Sequence, residues 1–428
     1  MSKNFPKNWQ QKTLEDCMEA IIDYRGKTPE KTSFGIPLIT AKIVKDGQIN
    51  NIQEYIAIKD YDSWMRRGLP EPGDIVMTTE APLGEIAQLD NRKVALGQRL
   101  ITLRGNPTIL NNNYLKFLMQ SFFVQNQLHE RATGTTVLGI KQSELRKINL
   151  VIPPLSEQKA IAHILSSLDD KIELNRQMNE TLEAMAKAIF KSWFVDFDPV
   201  SAKRSGRQPA GMDTATADLF PDEFEESSLG LIPKGWRVGT IETECKLIMG
   251  QSPKSEFYNT TGDGLPFHQG VTNFGVRFPT HKTFCSVSER IANKGDILFS
   301  VRAPVGRINI ADKKLIIGRG LAAIKHNQDH QSFLLYHLVH TFKKEDSIGT
   351  GTIFASVTRK ELQEVKLIAP KDLIVKVFDA KIQIIDKMIA ENEQQSYTLA
   401  TLRDTLLPKL MSGEIRVKEA EKIMEKLT

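Results

Sequence analysis

The stretch SEQKAIAHILSSLDDKIELNRQMNETLEAMAKAIFKSWFV, residues 156–195, decides the fold because it predicts one long, uninterrupted helix. It contains neither proline nor glycine. Its apolar side chains recur at alternating spacings of three and four residues, the pattern of a coiled-coil seam. The seam positions are Leu165, Leu168, Ile172, Leu182, Ala186, Ile189 and Trp193. At 1.5 Å per residue, such a helix would be a rod of about 60 Å.

Residues 373–410 predict a second rod of similar length. Its apolar positions are Val375, Phe378, Ile382, Ile385, Ile389, Leu399, Leu402 and Leu406.

Polar residues interrupt both seams midway, at Asn175 and Asn179 in the first helix and at Asn392 and Ser396 in the second. Antiparallel pairing would bring Asn175 near Ser396 and Asn179 near Asn392, in a buried polar layer that fixes the register. Alternatively, each helix packs only on its own globular part and its polar residues face water. We favour pairing, because two unpaired amphipathic rods would each leave an apolar stripe exposed.

The rest of the chain contains a repeat that includes both helices. PKNW at 6–9 returns as PKGW at 233–236, and VIPP at 151–154 returns as LIAP at 367–370. Between them, GDIV and APLG, which begin at 73 and 81, return as GDIL and APVG at 295 and 303, and TGT at 133–135 returns at 350–352. One unit, a globular part followed by a long helix, therefore occurs twice.

Within each globular part the apolar runs are short, rich in β-formers and cut by Gly, Pro and Asn. The sequence therefore predicts an α+β protein in which two mixed α/β domains are separated by two long antiparallel coiled-coil helices, with an internal pseudo-two-fold repeat. The predicted segments are a first domain (1–154), a first helix (155–198), an acidic linker (199–228), a second domain (229–370), a second helix (371–412) and a C-terminal tail (413–428).

Charge is unevenly distributed over these segments. The whole chain carries a formal charge of +5, whereas residues 1–154 carry +4, residues 229–370 carry +7 and residues 196–228 carry −5. Basic globular parts suit a polyanionic partner, because neutralisation of phosphates by Lys and Arg supplies most non-specific affinity for nucleic acid. A chance surface fluctuation would explain a +4 segment equally well.

Several protein classes and chemistries are disfavoured. No apolar stretch reaches the roughly 20 residues of a bilayer span, and the start MSKNFPKNWQQ lacks the apolar core of a signal peptide, so we expect a cytoplasmic protein. Cys17, Cys245 and Cys285 form no CxxC motif, and no phosphate-binding or S-adenosylmethionine-binding motif occurs. We therefore expect no catalytic residue, no metal and no bound cofactor, and we interpret His326, His330, His337 and His340 as surface or groove histidines.

Several segments resemble the specificity (S) subunits of type I restriction-modification systems. The junction TGTTVLGIKQSELRKINLVIPPLSEQKAIAHILSSLDDKIELN at 133–175 is similar to that family's junction between a target-recognition domain and a conserved helix. DYRGKTPE at 23–30, GDIVMTTEAPLGEIA at 73–87, FPDEFEESSLGLIPKGW at 220–236 and LRDTLLPKLMSGEIRV at 402–417 are similar to further pieces of it. In the second globular part IMGQSPKSEFYN replaces DYRGKTPE, as expected if the two domains read different bases.

The resemblance implies a non-catalytic DNA-binding subunit. Each target-recognition domain would read one half-site of a bipartite duplex, and the helices would set the spacer and dock two methyltransferase subunits. Restriction subunits, which translocate and cut DNA, would join the complex. S-adenosylmethionine, ATP and Mg²⁺ would bind only to those partner subunits. The alternative is a two-headed scaffold protein with a partner other than DNA.

Candidate side chains follow from these readings. For DNA binding we select basic or groove-compatible residues of both domains: Tyr24, Arg25, Lys27, Thr28, Lys42, Arg66, Arg67, Lys254, Arg277, Arg302, Arg307 and Arg319. Tyr24 could equally belong to a core. The first helix ends with more aromatic surface than a two-helix seam requires, so we expect Trp193 and Phe194, with Leu406 and Leu410 as their counterparts, to dock the methyltransferase subunits.

Overall fold

The computed structural model describes residues 5–24, 28–287, 289–342, 347–348, 352–353 and 356–425, with backbone alone for 347–348 and 352–353. The chain forms two compact units, called here unit 1 (residues 1–175 and 393–428) and unit 2 (residues 176–392). The boundary falls inside both long helices, which span Leu155–Phe194 and Asp372–Ser412. The α+β class with two long helices is therefore confirmed, and each unit contains half of each long helix.

Unit 1 is built on a four-stranded antiparallel sheet. Its strands are, in spatial order, Met18–Asp23, Leu100–Gly105, Ile75–Thr79 and Leu83–Gln88. A three-stranded sheet has the order Tyr55–Ile56, Ile36–Ile39, Ala95–Leu96, and two-stranded pairs join Gln10–Thr13 with Asn149–Ile152 and Val44–Lys45 with Gln48–Ile49. The helices outside the long pair are Leu14–Cys17, Ile58–Asp60 (3₁₀), Tyr61–Trp64, Asn112–Gln120, Phe122–Glu130, Gln142–Leu145 and Val417–Glu425.

Unit 2 repeats this plan. Its four-stranded antiparallel sheet has the order Cys245–Met249, Leu321–His326, Ile297–Ser300, Ile308–Ile310. A second sheet has the order Tyr258–Asn259, Phe284–Cys285, Leu265–His268, Leu315–Ile317, Ile291–Ala292, and pairs join Arg237–Thr240 with Lys366–Ala369, Phe224–Ser227 with Gly230–Pro233, and Ser347–Ile348 with Thr352–Ile353. The shorter helices are Asp198–Arg204, Thr214–Asp218, Ile241–Glu244, Ser255–Phe257 (3₁₀), Val271–Asn273 (3₁₀), Gln331–Thr341 and Arg359–Gln363.

One inner strand of each four-stranded sheet, Ile75–Thr79 in unit 1 and Ile297–Ser300 in unit 2, is called here the central strand. It is buried on both faces. Ile75 and Met77 point into the core that contains the long helices, whereas Val76 points into a second core on the opposite face. In unit 2, Phe299 and Leu298 divide between two cores in the same way. Successive side chains of a strand point to opposite faces, so a strand with two covered faces favours apolar side chains at successive positions. This explains the apolar runs at 75–77 and 297–299, after which each strand ends in buried hydroxyl residues, Thr78 and Thr79 in unit 1 and Ser300 in unit 2.

The same turn leads into both central strands. Gly73 and Gly295 adopt φ values of 87° and 89°, which glycine tolerates without steric cost. The following aspartate closes each turn: the carboxylate of Asp74 accepts from the backbone N–H of Glu71, and that of Asp296 accepts from Asn293, both at 2.8 Å. The GDIV and GDIL motifs are thus turn-and-strand signals.

The long helices pair within each unit, and each half-pair also packs on its own globular part. In unit 1, Leu165 and Leu168 share a core with Leu402 and Leu406. In unit 2, Phe190 shares a core with Phe378, Ile382 and Ile385. The favoured helix pairing and the packing of each helix on its own globular part therefore occur together. Asn175 and Asn179 are buried, and Asn392 and Ser396 are half-buried, so the alternative in which these polar residues face water does not hold.

Two segments are more structured than the sequence suggested. The acidic segment at 199–228 contains most of helix Asp198–Arg204, helix Thr214–Asp218 and strand Phe224–Ser227. The C-terminal segment at 413–428 contains helix Val417–Glu425, whose Ala420 is fully buried in the core of unit 1.

Candidate nucleic-acid interface

Unit 1 exposes some of the predicted DNA-binding side chains and buries one. Thr28, Lys42, Arg66 and Arg67 are exposed. Arg25 and Lys27 lie outside the described residues. The four exposed residues remain candidates for DNA contact.

Tyr24 belongs to a core, so the prediction that it contacts DNA is wrong. Its ring packs beside that of Trp64, with centroids 5.9 Å apart. Its hydroxyl donates to the carbonyl of Gly68 at 2.7 Å and accepts from the backbone N–H of Arg67 at 2.9 Å. Burial raises the pKa of Tyr24. Both hydrogen-bonding capacities of the hydroxyl are used within the protein, and Tyr24 holds the turn that carries Arg66 and Arg67.

In unit 2, Lys254, Arg302, Arg307 and Arg319 are exposed. The ammonium of Lys254 lies 3.8 Å from the carboxylate of Glu256. The backbone N–H of Arg319 donates to the hydroxyl of Ser252 at 3.2 Å, which ties the loop of Arg319 to that of Lys254.

Arg277 is buried at 4% exposure, so the prediction that it contacts DNA is wrong. Its guanidinium forms ion pairs with Glu183 of the first long helix and Asp386 of the second, and it donates to the hydroxyl of Tyr336 at 3.1 Å. Burial lowers the pKa of Arg277, but Tyr336, Asp386 and Glu183 outweigh burial and leave that pKa raised. Arg277 therefore fastens the globular part of unit 2 to both helices.

The proposed docking residues are also buried. Trp193 and Phe194 lie at 6% and 3% exposure in the core of unit 2. The Trp193 ring meets Phe220 edge-on at 5.4 Å, and the Phe194 ring meets Phe333 at 4.9 Å. These aromatic side chains leave no surface for a partner.

Their counterparts Leu406 and Leu410 lie inside the core of unit 1. The expectation that these four residues dock a partner is therefore wrong, because the aromatic surface beyond the helix seam is covered by the globular part of the same unit.

The polar seam residues meet as the antiparallel register predicted. In unit 1, the amide of Asn175 donates to Gln395 at 2.9 Å and to the hydroxyl of Ser396 at 3.2 Å. In unit 2, the amide of Asn392 donates to Asn179 at 2.8 Å. Asn175 is fully buried and Asn179 nearly so. A slip of either helix would leave these amides buried without partners, at a cost of about 1–3 kcal/mol each.

Of the four histidines interpreted as surface or groove groups, His326 and His330 are buried but line a small pocket of unit 2, His337 is a core residue, and His340 is half-buried. His337 is buried and accepts the backbone N–H of Ile368 at 3.0 Å, and burial lowers the pKa of His337 to about 4. His330 is held between Asp379 at 2.8 Å and Asp372 at 3.0 Å. His326 is likewise buried. Among the described residues, no group of three or more His, Cys, Asp or Glu side chains is placed to hold a metal ion.

Sequence reasoning missed four polar residues that line one cavity of unit 1. The cavity has a volume of about 390 Å³ and is lined by Glu80, Gln98, Arg99 and Lys141, among others. Glu80 follows the central strand, and its carboxylate pairs with Arg99 at 2.9 Å. The repeat itself was the available signal, since Glu80 directly precedes APLG and Arg302 directly precedes APVG.

Comparison with known proteins gives the family. Residues 6–184 and 233–396 match the model of the type I restriction modification DNA specificity domain. A putative type I restriction enzyme MjaX specificity subunit of Methanocaldococcus jannaschii is 31% identical, over 96% of this chain and 95% of that protein. The MjaIX specificity subunit of the same organism is 27% identical, over 97% and 95%.

A solved S subunit of a type I restriction-modification system from M. genitalium shares the fold. It has a TM-score of 0.56 and 17% identity, over 96% of this chain and 97% of that one. Among the described helices, none combines the length and apolar character that a membrane span requires. With two matching domains and a full-length relative above 30% identity, the chain belongs to the family of type I restriction-modification DNA specificity subunits, which are non-catalytic.

Proposed function

We propose that unit 1 and unit 2 each read one half-site of a bipartite duplex DNA sequence, and that the paired long helices set the number of unread base pairs between them. The observation that carries this proposal is the duplication. One sheet order, one turn and one long-helix half-pair recur in each unit. The DNA specificity domain model matches the chain twice, at residues 6–184 and 233–396, and two such domains would supply two reading surfaces for one target.

Charge supports duplex DNA as the partner. The two domain segments carry +4 and +7, whereas the segment at 196–228 between them carries −5. Arg66 and Arg67 in unit 1, and Arg302, Arg307 and Arg319 in unit 2, are exposed. Exposed cations of this kind position a protein on the phosphate backbone, and some of them read base edges. A scaffold with a partner other than DNA would not need this distribution.

The polar layers support the spacer role. Helices that set a spacer must keep a fixed register. A coiled coil keeps its register when a slip would leave buried amides without hydrogen-bond partners. Asn175 with Gln395 and Ser396, and Asn179 with Asn392, supply that penalty on either side of the unit boundary.

The outer surface of the long helices is our revised candidate for docking two methyltransferase subunits. Large apolar side chains are exposed there, at 49% for Leu174 and 67% for Tyr397 in unit 1, and at 50% for Met185 and 65% for Ile384 in unit 2. Exposed apolar patches commonly mark protein interfaces. Restriction subunits would join this assembly in the cytoplasm, and S-adenosylmethionine, ATP and Mg²⁺ would bind to the partner subunits.

Docking is tested by co-purification of the methyltransferase subunit with the full-length chain. The double variant Met185→Asp/Ile384→Asp should lose the partner, because it places two charges on the apolar surface. The matched control is Gln383→Asp, which adds a charge beside Ile384 at an exposed position that is already polar. Retention of the partner by the double variant would reject this docking surface.

DNA binding is tested by measuring duplex affinity of the full-length chain, assembled with its methyltransferase subunit, against salt concentration. For about six phosphate contacts, affinity should fall on the order of a thousandfold between about 50 and 200 mM salt. A flat response would favour the scaffold alternative.

A further inference from the structure

Three backbone segments of unit 1 meet at the end of its central strand. The N–H of Thr79 donates to the carbonyl of Arg99 at 2.9 Å, and the N–H of Ile140 donates to the carbonyl of Thr79 at 3.0 Å. Next along the chain, Glu80 forms an isolated β-bridge with Gly139. The end of the strand is therefore fixed between two other segments, and Glu80 is the first residue beyond it.

Unit 2 builds the same junction with the same hydrogen bonds. The N–H of Val301 donates to the carbonyl of Gly320 at 2.9 Å, and the N–H of Val357 donates to the carbonyl of Val301 at 2.8 Å. Arg302 then forms an isolated β-bridge with Ser356. Arg302 therefore corresponds to Glu80, and Gly320 corresponds to Arg99. Arg319 precedes Gly320 as Gln98 precedes Arg99, so Arg319 corresponds to Gln98.

The backbone at this junction is therefore constant while its side chains differ in charge and shape. Glu80 and Arg99 retain about half of their side-chain exposure, at 43% and 51%, and Arg302 and Arg319 are also exposed. Exposed side chains can differ between the two copies of this junction without changing its backbone. Such positions allow two copies of one domain to acquire different specificities. In unit 1 they line the cavity of about 390 Å³, which opens a concave polar surface to a ligand.

We propose that this junction is the base-reading site of each unit, formed by Glu80, Gln98 and Arg99 in unit 1 and by Arg302 and Arg319 in unit 2. The proposal rests on the proposed function and deepens it by assigning the reading positions. It also assigns the class of base pair, because each of these side chains has its own hydrogen-bonding complement in the major groove.

Arg302 and Arg319 fit guanine, whose O6 and N7 accept from one guanidinium, so the half-site of unit 2 contains at least one G·C pair read by arginine. Gln98 fits the N6 and N7 of adenine, and Glu80 fits the N4 amino group of cytosine. Phosphates repel a nearby carboxylate, and a hydrogen bond that the carboxylate accepts from a base offsets part of that repulsion. Arg99 lowers that repulsion by pairing with Glu80 and fixes the orientation of its carboxylate.

The experiment selects binding sequences from a random duplex library with the full-length chain, assembled with its methyltransferase subunit. Variants are Arg302→Gln and Arg319→Gln in unit 2, and Glu80→Gln and Gln98→Ala in unit 1. Matched controls are Lys314→Gln in unit 2 and Glu130→Gln in unit 1, which remove one exposed charge from the same unit at positions outside the junction.

Each variant should relax or change bases of one half-site only, with discrimination at the affected base pair reduced roughly 5- to 150-fold, and the other half-site and the spacer should stay as in the wild type. The controls should leave the selected sequence unchanged: Lys314→Gln, which removes a cation, should weaken binding slightly and uniformly or not at all, and Glu130→Gln, which removes a carboxylate, should strengthen it slightly and uniformly or not at all. If the wild type selects a bipartite sequence and all four junction variants select the same one, the junction does not read bases and the inference fails while the proposed function stands. If the wild type selects no sequence, both fail.

Discussion

Replacing Arg277 should uncouple the globular part of unit 2 from its long helices. The guanidinium is the shared partner of Glu183 and Asp386, and it also contacts Tyr336. The Arg277→Met substitution keeps a long apolar side chain but leaves two carboxylates facing each other with little solvent. Burial raises the pKa of Asp386, whereas the neighbouring Arg277 lowers it, so loss of Arg277 removes an interaction that favours the charged carboxylate. Breaking a buried ion pair from one side costs about 3–5 kcal/mol. Glu183 and Asp386 each keep about a fifth of their side-chain exposure, so we expect the lower end of that range, about 3 kcal/mol.

The assay uses the distribution of tryptophans between the units. Trp193 and Trp236 lie in the core of unit 2, whereas Trp9 and Trp64 lie in unit 1. In a Trp9→Phe/Trp64→Phe background, fluorescence during urea unfolding therefore reports on unit 2 alone. Adding Glu183→Gln and Asp386→Asn to Arg277→Met should restore at least half of the lost free energy of unfolding, because no buried charge then remains unpaired; Lys187, which also pairs with Glu183, is half-exposed. A loss below about 1 kcal/mol, or no recovery in the triple variant, would refute the reasoning.

Three further predictions use the same unfolding assay on unit 2. Trp193→Ala should cost about 3–5 kcal/mol, since the ring is buried among Phe194, Phe220 and Phe378; a change near zero would contradict the core assignment. Asn392→Leu should destabilise unit 2 by about 1–3 kcal/mol, because it removes the donor to the side-chain oxygen of Asn179, whereas Asn179→Leu/Asn392→Leu should recover that loss; equal stability of both variants would argue against the polar layer. The hydrogen bonds from His330 to Asp379 and Asp372 raise the pKa of His330 above its ordinary value of 6.5, so its stabilising effect is complete below that pH and is lost as pH rises through the raised pKa. The stability gap between wild type and His330→Gln should therefore narrow from about pH 6 to pH 9, and a gap that widens would contradict this sign.

The long helices and the duplication could be predicted from the sequence because both leave periodic signals. Apolar spacing identifies a helix seam, and the interruption of both seams at a constant offset was enough to pair Asn175 with Ser396 and Asn179 with Asn392. A buried amide needs a specific partner, so its position in the sequence carries information about register.

Burial of individual charged and aromatic side chains could not be predicted in this way. Arg277 and Arg302 are the same residue type, and both lie in a basic globular part. Arg277 is buried between carboxylates of two distant helix segments, whereas Arg302 is exposed. Trp193 lies near the end of an amphipathic helix, and its ring is covered by Phe220 and Phe378, which come from later segments of the chain. Such contacts depend on tertiary packing over long sequence separations, which local periodicity does not encode.

In the proposed function, the two units each read one half-site and the paired helices set the distance between the half-sites. A change in one helix alone would break the register of Asn175 and Asn179, so the test inserts one seven-residue heptad into each long helix, after residue 177 in the first and after residue 394 in the second. Each insertion adds about 10 Å of helix, the length of about three base pairs. Sequences selected by the assembled variant should keep both half-sites and lengthen the unread gap by about three base pairs. An unchanged gap with altered half-sites would contradict the claim.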